Sequence, residues 1–486
     1  MAAASLRRFR PSAADPWDRV KAAHLLNRAG FGGAPEEIAR LASLPVEAAV
    51  EELLNFEGVP ESFPAIDFSA LHEMYEELLR ARRDRADEAA LRRVVQQINR
   101  ANIVKFQELR AAWMRRMIET RRPLQEKMTL FWHGHLVSGL PETRVAEHMA
   151  IQLELFRRLA AGNFKELILA ISRDPAMLSY LDNNSNRKGK PNENYARELL
   201  ELFTMGIGNY TEQDVKEAAR AFTGWTFFAN TFVFRRDQHD DGTKTFLGRT
   251  GNWDGTDIID IIFEQPATAR FLPRKLWEFF AYQSPEESLV QDLAEVFRRS
   301  RWEIKPLLRT ILLSEGFFSQ QAIRSKIKSP VELVVGAVRQ TGAQIPDEVL
   351  VRATDLMGQR LLYPPNVGGW PQGRGWVNTA TVLLRYNFSG LLLNGTMPGA
   401  LRRRTVPAGV DHLIDAARVR TTGDVIDQLV DRFIQGRLDG RRRWGLLRAF
   451  GTNREDAPWR LDGARSQEQL RSAVHLIMSM PEYQLN

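Results

Sequence analysis

Apolar residues recur every three to four positions along almost the whole 486-residue chain, and that spacing commits it to helices packed on helices. Residues 22–54 read as short helices broken at Gly32, Gly33 and Pro45. Residues 67–122 hold long, highly charged helical stretches that stop before Pro123. Acid–base spacings such as Glu76 and Arg80 suit an exposed helical hairpin or arm around the core.

Pro123 fits the first position of a helix that runs through LQEKMTLFWHGHLV. A turn at 139–141 leads to predicted helices at 144–161 and 164–172. The polar segment 182–192, DNNSNRKGKPN, is a loop of turn formers. A helix resumes at 194–205 and stops at Gly206, and Thr211 with Asp214 forms a capping-box pattern. Residues 227–255 switch to β-type alternation, which predicts one small β-hairpin. Further helices are predicted at 255–263, 268–282, 287–300 and 304–314. An irregular loop follows at 363–375, YPPNVGGWPQGRG, and PGALRRRTVPAG near residue 400 reads as a linker. The expected fold is mainly α, a multi-helical globular core with a long charged helical hairpin, a small β-hairpin and irregular loops. Its parts are an N-terminal helical segment (1–66), the charged arm (67–122), the main core (123–395) and a C-terminal helical lobe (396–486).

Composition narrows the function classes. A hydrophobic fraction of 44% with 26% charged residues suits a sizeable core, and the absence of cysteine removes disulfides, thiolate metal sites and a cysteine nucleophile. The net charge is +7, but the arginines are dispersed along helices, so nucleic-acid binding is not expected. The basic start, MAAASLRRFR, has no apolar stretch after it, and no run approaches the roughly 20 apolar residues of a membrane helix. As written the chain is expected to be cytoplasmic, without an export signal or a membrane span. Nucleotide-binding glycine loops and a GxSxG elbow are absent, which disfavours nucleotide-dependent and serine-hydrolase chemistry.

Polar residues of chemical interest fall in four segments. In NENYARELLEL, Asn194, Arg197, Glu198 and Glu201 share one helical stripe, while Tyr195, Leu199, Leu202 and Phe203 face the core. That stripe reads either as a charged outer face or as a site where two carboxylates beside an arginine take separated pKa values for acid–base work. Asp182, Asn183 and Asn192 reach the helix start, where amides and carboxylates can hold an anion or a hard cation. In FWHGH, His133 and His135 would share a face on a strand and could chelate a metal; on a helix they lie roughly 200° apart. His239, Asp240, Asp241 and Lys244 sit in a loop that is either a good turn or an acid–base or metal site. Trp370 and Trp376 occupy a Gly/Pro loop with Asn366, Arg374 and Asn378, a setting that suits stacking on a sugar ring or another flat ligand.

Six blocks together carry a resemblance to the DUF1800 family of bacterial proteins of unknown function. They are AAHLLNRAGFG, FWHGH, NENYARELLELFTMGIGNYTEQDVKEAARAFTGW, HDDGTKTFLG, PATARFLPRKLWEFF and PPNVGGWPQGRGWVNT. Relatives in that family often begin with an export signal, which this chain as written is not expected to carry. They often lie beside DUF1501 proteins, themselves similar to the alkaline-phosphatase superfamily, so the resemblance implies a DUF1501-like partner by association.

Two functions are expected to compete. One is a hydrolase-type enzyme whose cleft brings together Glu198, Glu201, His133, His239 and Asp240 as catalytic groups. In it Asn194, Arg197, Trp370, Trp376, Arg374 and Asn366 would bind a glycan, an ester or another small molecule. A divalent metal on His133, His135, Glu198 or His239 is one variant, and a metal-free carboxylate pair another. The alternative is a non-catalytic binding or assembly protein.

Overall fold

The computed structural model describes residues 4–85, 87–395 and 406–486. They are 61% helical, with 22 α-helices and two small antiparallel hairpins, as the apolar period requires. Most of the PGALRRRTVPAG segment lies outside the described residues.

Local signals place many boundaries. Pro123 opens the helix Pro123–His135. The helix Glu212–Ala221 begins in a complete capping box, Thr211 receiving the Asp214 amide while the Asp214 carboxylate accepts from the Thr211 amide. The charged arm is a hairpin of Ser69–Arg83 and Glu88–Glu119. Its second helix is not free-standing, because Phe106, Trp113, Met114 and Met117 are buried against the body of the protein.

Two features differ from the sequence expectation. Residues 225–251 form two hairpins rather than one, Trp225–Phe228 with Thr231–Phe234 and Lys244–Phe246 with Arg249–Gly251. The second turns through Leu247 and Gly248, both at positive φ, and a leucine there gives no turn signal. The predicted helix 194–205 is α-helical only over Asn194–Glu198 and widens to a π-helix over Leu199–Thr204, where the Met205 amide donates to the Leu200 carbonyl. π-turns of this kind are rare and recur at functional sites.

The buried apolar residues form two clusters. One gathers the helices of residues 19–54, Leu124 to Leu181 and Tyr195 to Ala322; the other joins the arm to Val331–Leu362, Phe388–Leu393 and the C-terminal helices. Pro123–His135 belongs to both, giving Met128, Phe131 and Trp132 to the first and Leu130 to the second. The seam between them is where the FWHGH segment ends.

Candidate functional site

At this seam lies a cavity of about 130 Å³, close in size to the ~150 Å³ that accepts a benzene ring. Four of the segments that carried the family resemblance wall it: Gly134 and His135 of FWHGH, Leu202 of the π-turn, Lys275 of PATARFLPRKLWEFF, and Trp370 and Trp376 of the 363–375 loop and its end. Glycine makes this junction. A Cβ on Gly369 would lie 2.2 Å from the Gly134 carbonyl oxygen, and one on Gly134 would press to 3.3 Å on the Trp370 ring. Gly369 also sits at φ +87°. The glycine that weakens the FWHGH helix is therefore the place where the loop docks.

His135 is held for one tautomer. Its Nε2 lies 3.0 Å from the Phe203 carbonyl, which the π-turn leaves at the end of the helix, so Nε2 carries the hydrogen and donates. Nδ1 then keeps its lone pair. Burial, and after it the charge of Lys275, push the imidazole down to about 3, so it is neutral at physiological pH. His133 is not among the residues that line the cavity; it is 0% exposed, and neither ring nitrogen has a partner among the described residues. It packs edge-on to Trp113 and Trp370 with ring centroids 5.6 and 5.3 Å apart, and burial alone lowers it to about 3. The two histidines thus face different surroundings, as the helical reading required.

The charged wall comes from residues that sequence reasoning passed over. Lys275 and Glu278 stand at i and i+3 on the helix Pro266–Phe280, and Lys326, Ser329 and Glu332 lie at the start of Pro330–Thr341. Lys326 Nζ donates to the Phe279 carbonyl at 2.7 Å and lies 4.2 Å from that ring's centroid. Burial, against the pull of Glu332, brings its ammonium down to about 7. The only available signal was Lys275 and Glu278 standing within the PATARFLPRKLWEFF block; Lys326 and Glu332 looked like ordinary exposed charges.

The other expected site residues are placed elsewhere. Glu198 and Glu201 are half-buried; Tyr210 donates to Glu201 at 2.8 Å, and Glu198 is raised by burial and then by the charge of Glu201. Arg197 is paired with Glu193 and Glu212, and Asn194 is exposed. Asn183, Asn186 and Asn192 spend their amides tying the 182–192 loop to itself and to the Trp225 and Ala219 carbonyls. The His239–Asp240 loop does not line the cavity. His239 Nδ1 is 2.9 Å from the Thr223 carbonyl, while Asp240 accepts from Arg220 Nε at 2.8 Å, an ion pair that holds its carboxyl down to about 2. Asn366 accepts from the Gly368 amide at 2.9 Å; Arg374 is exposed, and neither lines the cavity. Among the described residues no three His, Asp or Glu side chains converge as metal ligands, so His133, His135, Glu198 and His239 do not form a common centre.

A family model described as a protein of unknown function, DUF1800, matches residues 24–485, and the chain belongs to that family. No curated protein and no solved structure matches it. No helix among the described residues is long and apolar enough to cross a membrane.

Proposed function

We propose that the chain is an enzyme acting on a small molecule in the cavity beneath Trp370, hydrolytic in type. The observation that carries this reading is that four family-bearing segments, distant in sequence, meet at one cavity that holds two carboxylates, two lysines and a neutral imidazole. These groups have complementary tasks. Glu278 can take a proton from a water molecule as its oxygen attacks the substrate's electrophilic centre, with His135 Nδ1 orienting that water. The Lys275 and Lys326 ammonium groups stabilise the negative charge that develops on the substrate oxygen. The proton held by Glu278 then passes to the leaving group. Trp370 and Trp376 supply flat apolar walls for the rest of the molecule.

The test is turnover of a mixed panel of esters, amides and phosphoesters by the full chain, followed by mass spectrometry. Hydrolysis should fall about 10²-fold or more in Glu278→Gln with the fold retained, the usual weight of a general base. No turnover of any panel member, or turnover unchanged in Glu278→Gln, would overturn the reading.

A binding role draws support from a different place. A groove of about 970 Å³ runs between residues 61–68, the long arm helix and the helix Ala146–Arg158, with Phe63 and Phe68 on its walls. Leu79, Ile103 and Val104 of the arm are more than half exposed. We propose a DUF1501-like protein as the partner of this groove; an arm variant that loses such a partner but keeps hydrolysis would separate the two roles.

A further inference from the structure

The interior beside the cavity is electrically lopsided. Five cationic side chains surround Glu332; Arg28, Lys127, Lys328 and Arg385 are buried and Lys326 is 13% exposed, and each has that carboxylate as its one acidic partner among the described residues. Glu332 forms an ion pair with Lys127, lies 4.0 Å from Lys326, and accepts the Ser329 amide at 2.8 Å. Nε and Nη1 of Arg28 and Nε of Arg385 are buried without a hydrogen-bond acceptor among the described residues. The Lys328 ammonium lies 4.1 Å from the centre of the Tyr483 ring. Burying several charges of one sign beside a single counter-charge is expensive, and donors left without acceptors add to the cost. Of the five, Lys326 reaches the cavity wall beside Glu332, and Lys275 and Glu278 complete its charged lining.

We propose that this cavity binds the oxyanion end of a small organic molecule, a carboxylate or a phosphate, held by Lys326 and Lys275 and supplying the negative charge that Glu332 cannot supply alone. This deepens the small-molecule reading above and rests on it. The cavity volume limits the buried part to a group no larger than a benzene ring, so the charged end enters and the remainder of the ligand passes the Trp370–Trp376 wall. Ser329 and Gln359 also line the cavity, but Gln359 Oε1 already accepts from the Val331 amide at 2.9 Å, which leaves its amide group as a further donor to the oxyanion.

The experiment is calorimetric titration and thermal unfolding of the full chain with four probes at matched ionic strength: inorganic phosphate, acetate, chloride and the neutral acetate isostere acetamide. Saturable stabilisation by phosphate or by acetate, with neither chloride nor acetamide acting, is the expected result, and the stronger of the two names the oxyanion. Lys326→Met should weaken that anion about tenfold or more, the loss of one charge-assisted hydrogen bond. Without anion it should unfold no more easily than the wild type, because an apolar isostere replaces an uncompensated charge. Lys275→Met provides the same weakening should Lys326→Met not fold. Acetamide binding as well as acetate, or anion binding unchanged in both variants, overturns the oxyanion and leaves the small-molecule cavity standing. Failure of all four probes to bind overturns the oxyanion site; failure of neutral aromatic fragments as well removes the cavity reading with it.

Discussion

Replacing Glu332 by glutamine removes the one negative charge in the buried cluster while keeping its shape. The carboxylate is 5% exposed, pairs with Lys127, and closes the capping box that starts Pro330–Thr341. Breaking a buried ion pair from one side costs about 3–5 kcal/mol, because the partner charge stays buried. The capping box adds about 1 kcal/mol where the glutamine side chain fails to replace it. The loss also depends on pH in a defined sense. Lys326 and Lys328 are both held down to about 7, below the unfolded lysine near 10.5. The folded protein therefore binds fewer protons than the unfolded chain between those values, and stability rises with pH across that window and is lowest below it. In Glu332→Gln the lysines lose their counter-charge, so the deficit against wild type should be greatest near pH 6 and smaller at pH 9, where the amines can be neutral. Urea unfolding followed by circular dichroism at the two pH values reads both effects as midpoint shifts. A Glu332→Gln protein within about 1 kcal/mol of wild type at pH 6 would refute the reasoning, since that is the range of an exposed ion pair.

Gly369→Ala places a methyl group 2.2 Å from the Gly134 carbonyl at a positive φ, and should cost about 3 kcal/mol and raise hydrogen exchange in the 363–375 loop; Gly358→Ala, at φ +97° with open space around it, should cost only about 1 kcal/mol by thermal unfolding. His133→Phe keeps the ring contacts with Trp113 and Trp370 and removes two unpartnered nitrogens, so its stability should lie within about 1 kcal/mol of wild type or above it, and a loss beyond about 3 kcal/mol would show that the imidazole is hydrogen-bonded. Asp240→Asn should cost about 1 kcal/mol and loosen the Lys244–Phe246 hairpin in hydrogen exchange. Because the folded carboxyl sits near 2, below the unfolded 3.8, that difference is present above pH 4 and disappears as pH falls through 2.

Local chemistry was readable from the sequence and long-range contact was not. Pro123, the Thr211–Asp214 box and the arm hairpin follow from rules that act within one helical turn or between neighbouring helices. The meeting of FWHGH with the loop at Gly369 joins residues 235 positions apart, and nothing in either segment names the other. The His239–Asp240 loop drew attention because its residue types suit catalysis; Arg220, from the preceding helix, engages Asp240 in an ion pair. The NENYARELLEL stripe was legible as a half-exposed face, but its widening to a π-turn was not, and that turn presents the Phe203 carbonyl to His135. Lys326 and Glu332 carried no signal because the sequence gives residue type without burial, and burial is what makes them unusual.

The most direct test of the central claim is a crystallographic screen of the full chain against a library of neutral and anionic fragments. Fragments should collect in the cavity between His135, Trp370 and Lys326, the anionic ones with an oxygen at hydrogen-bond distance from Lys326 Nζ. Fragments that bind across the rest of the surface and leave this cavity empty would contradict it.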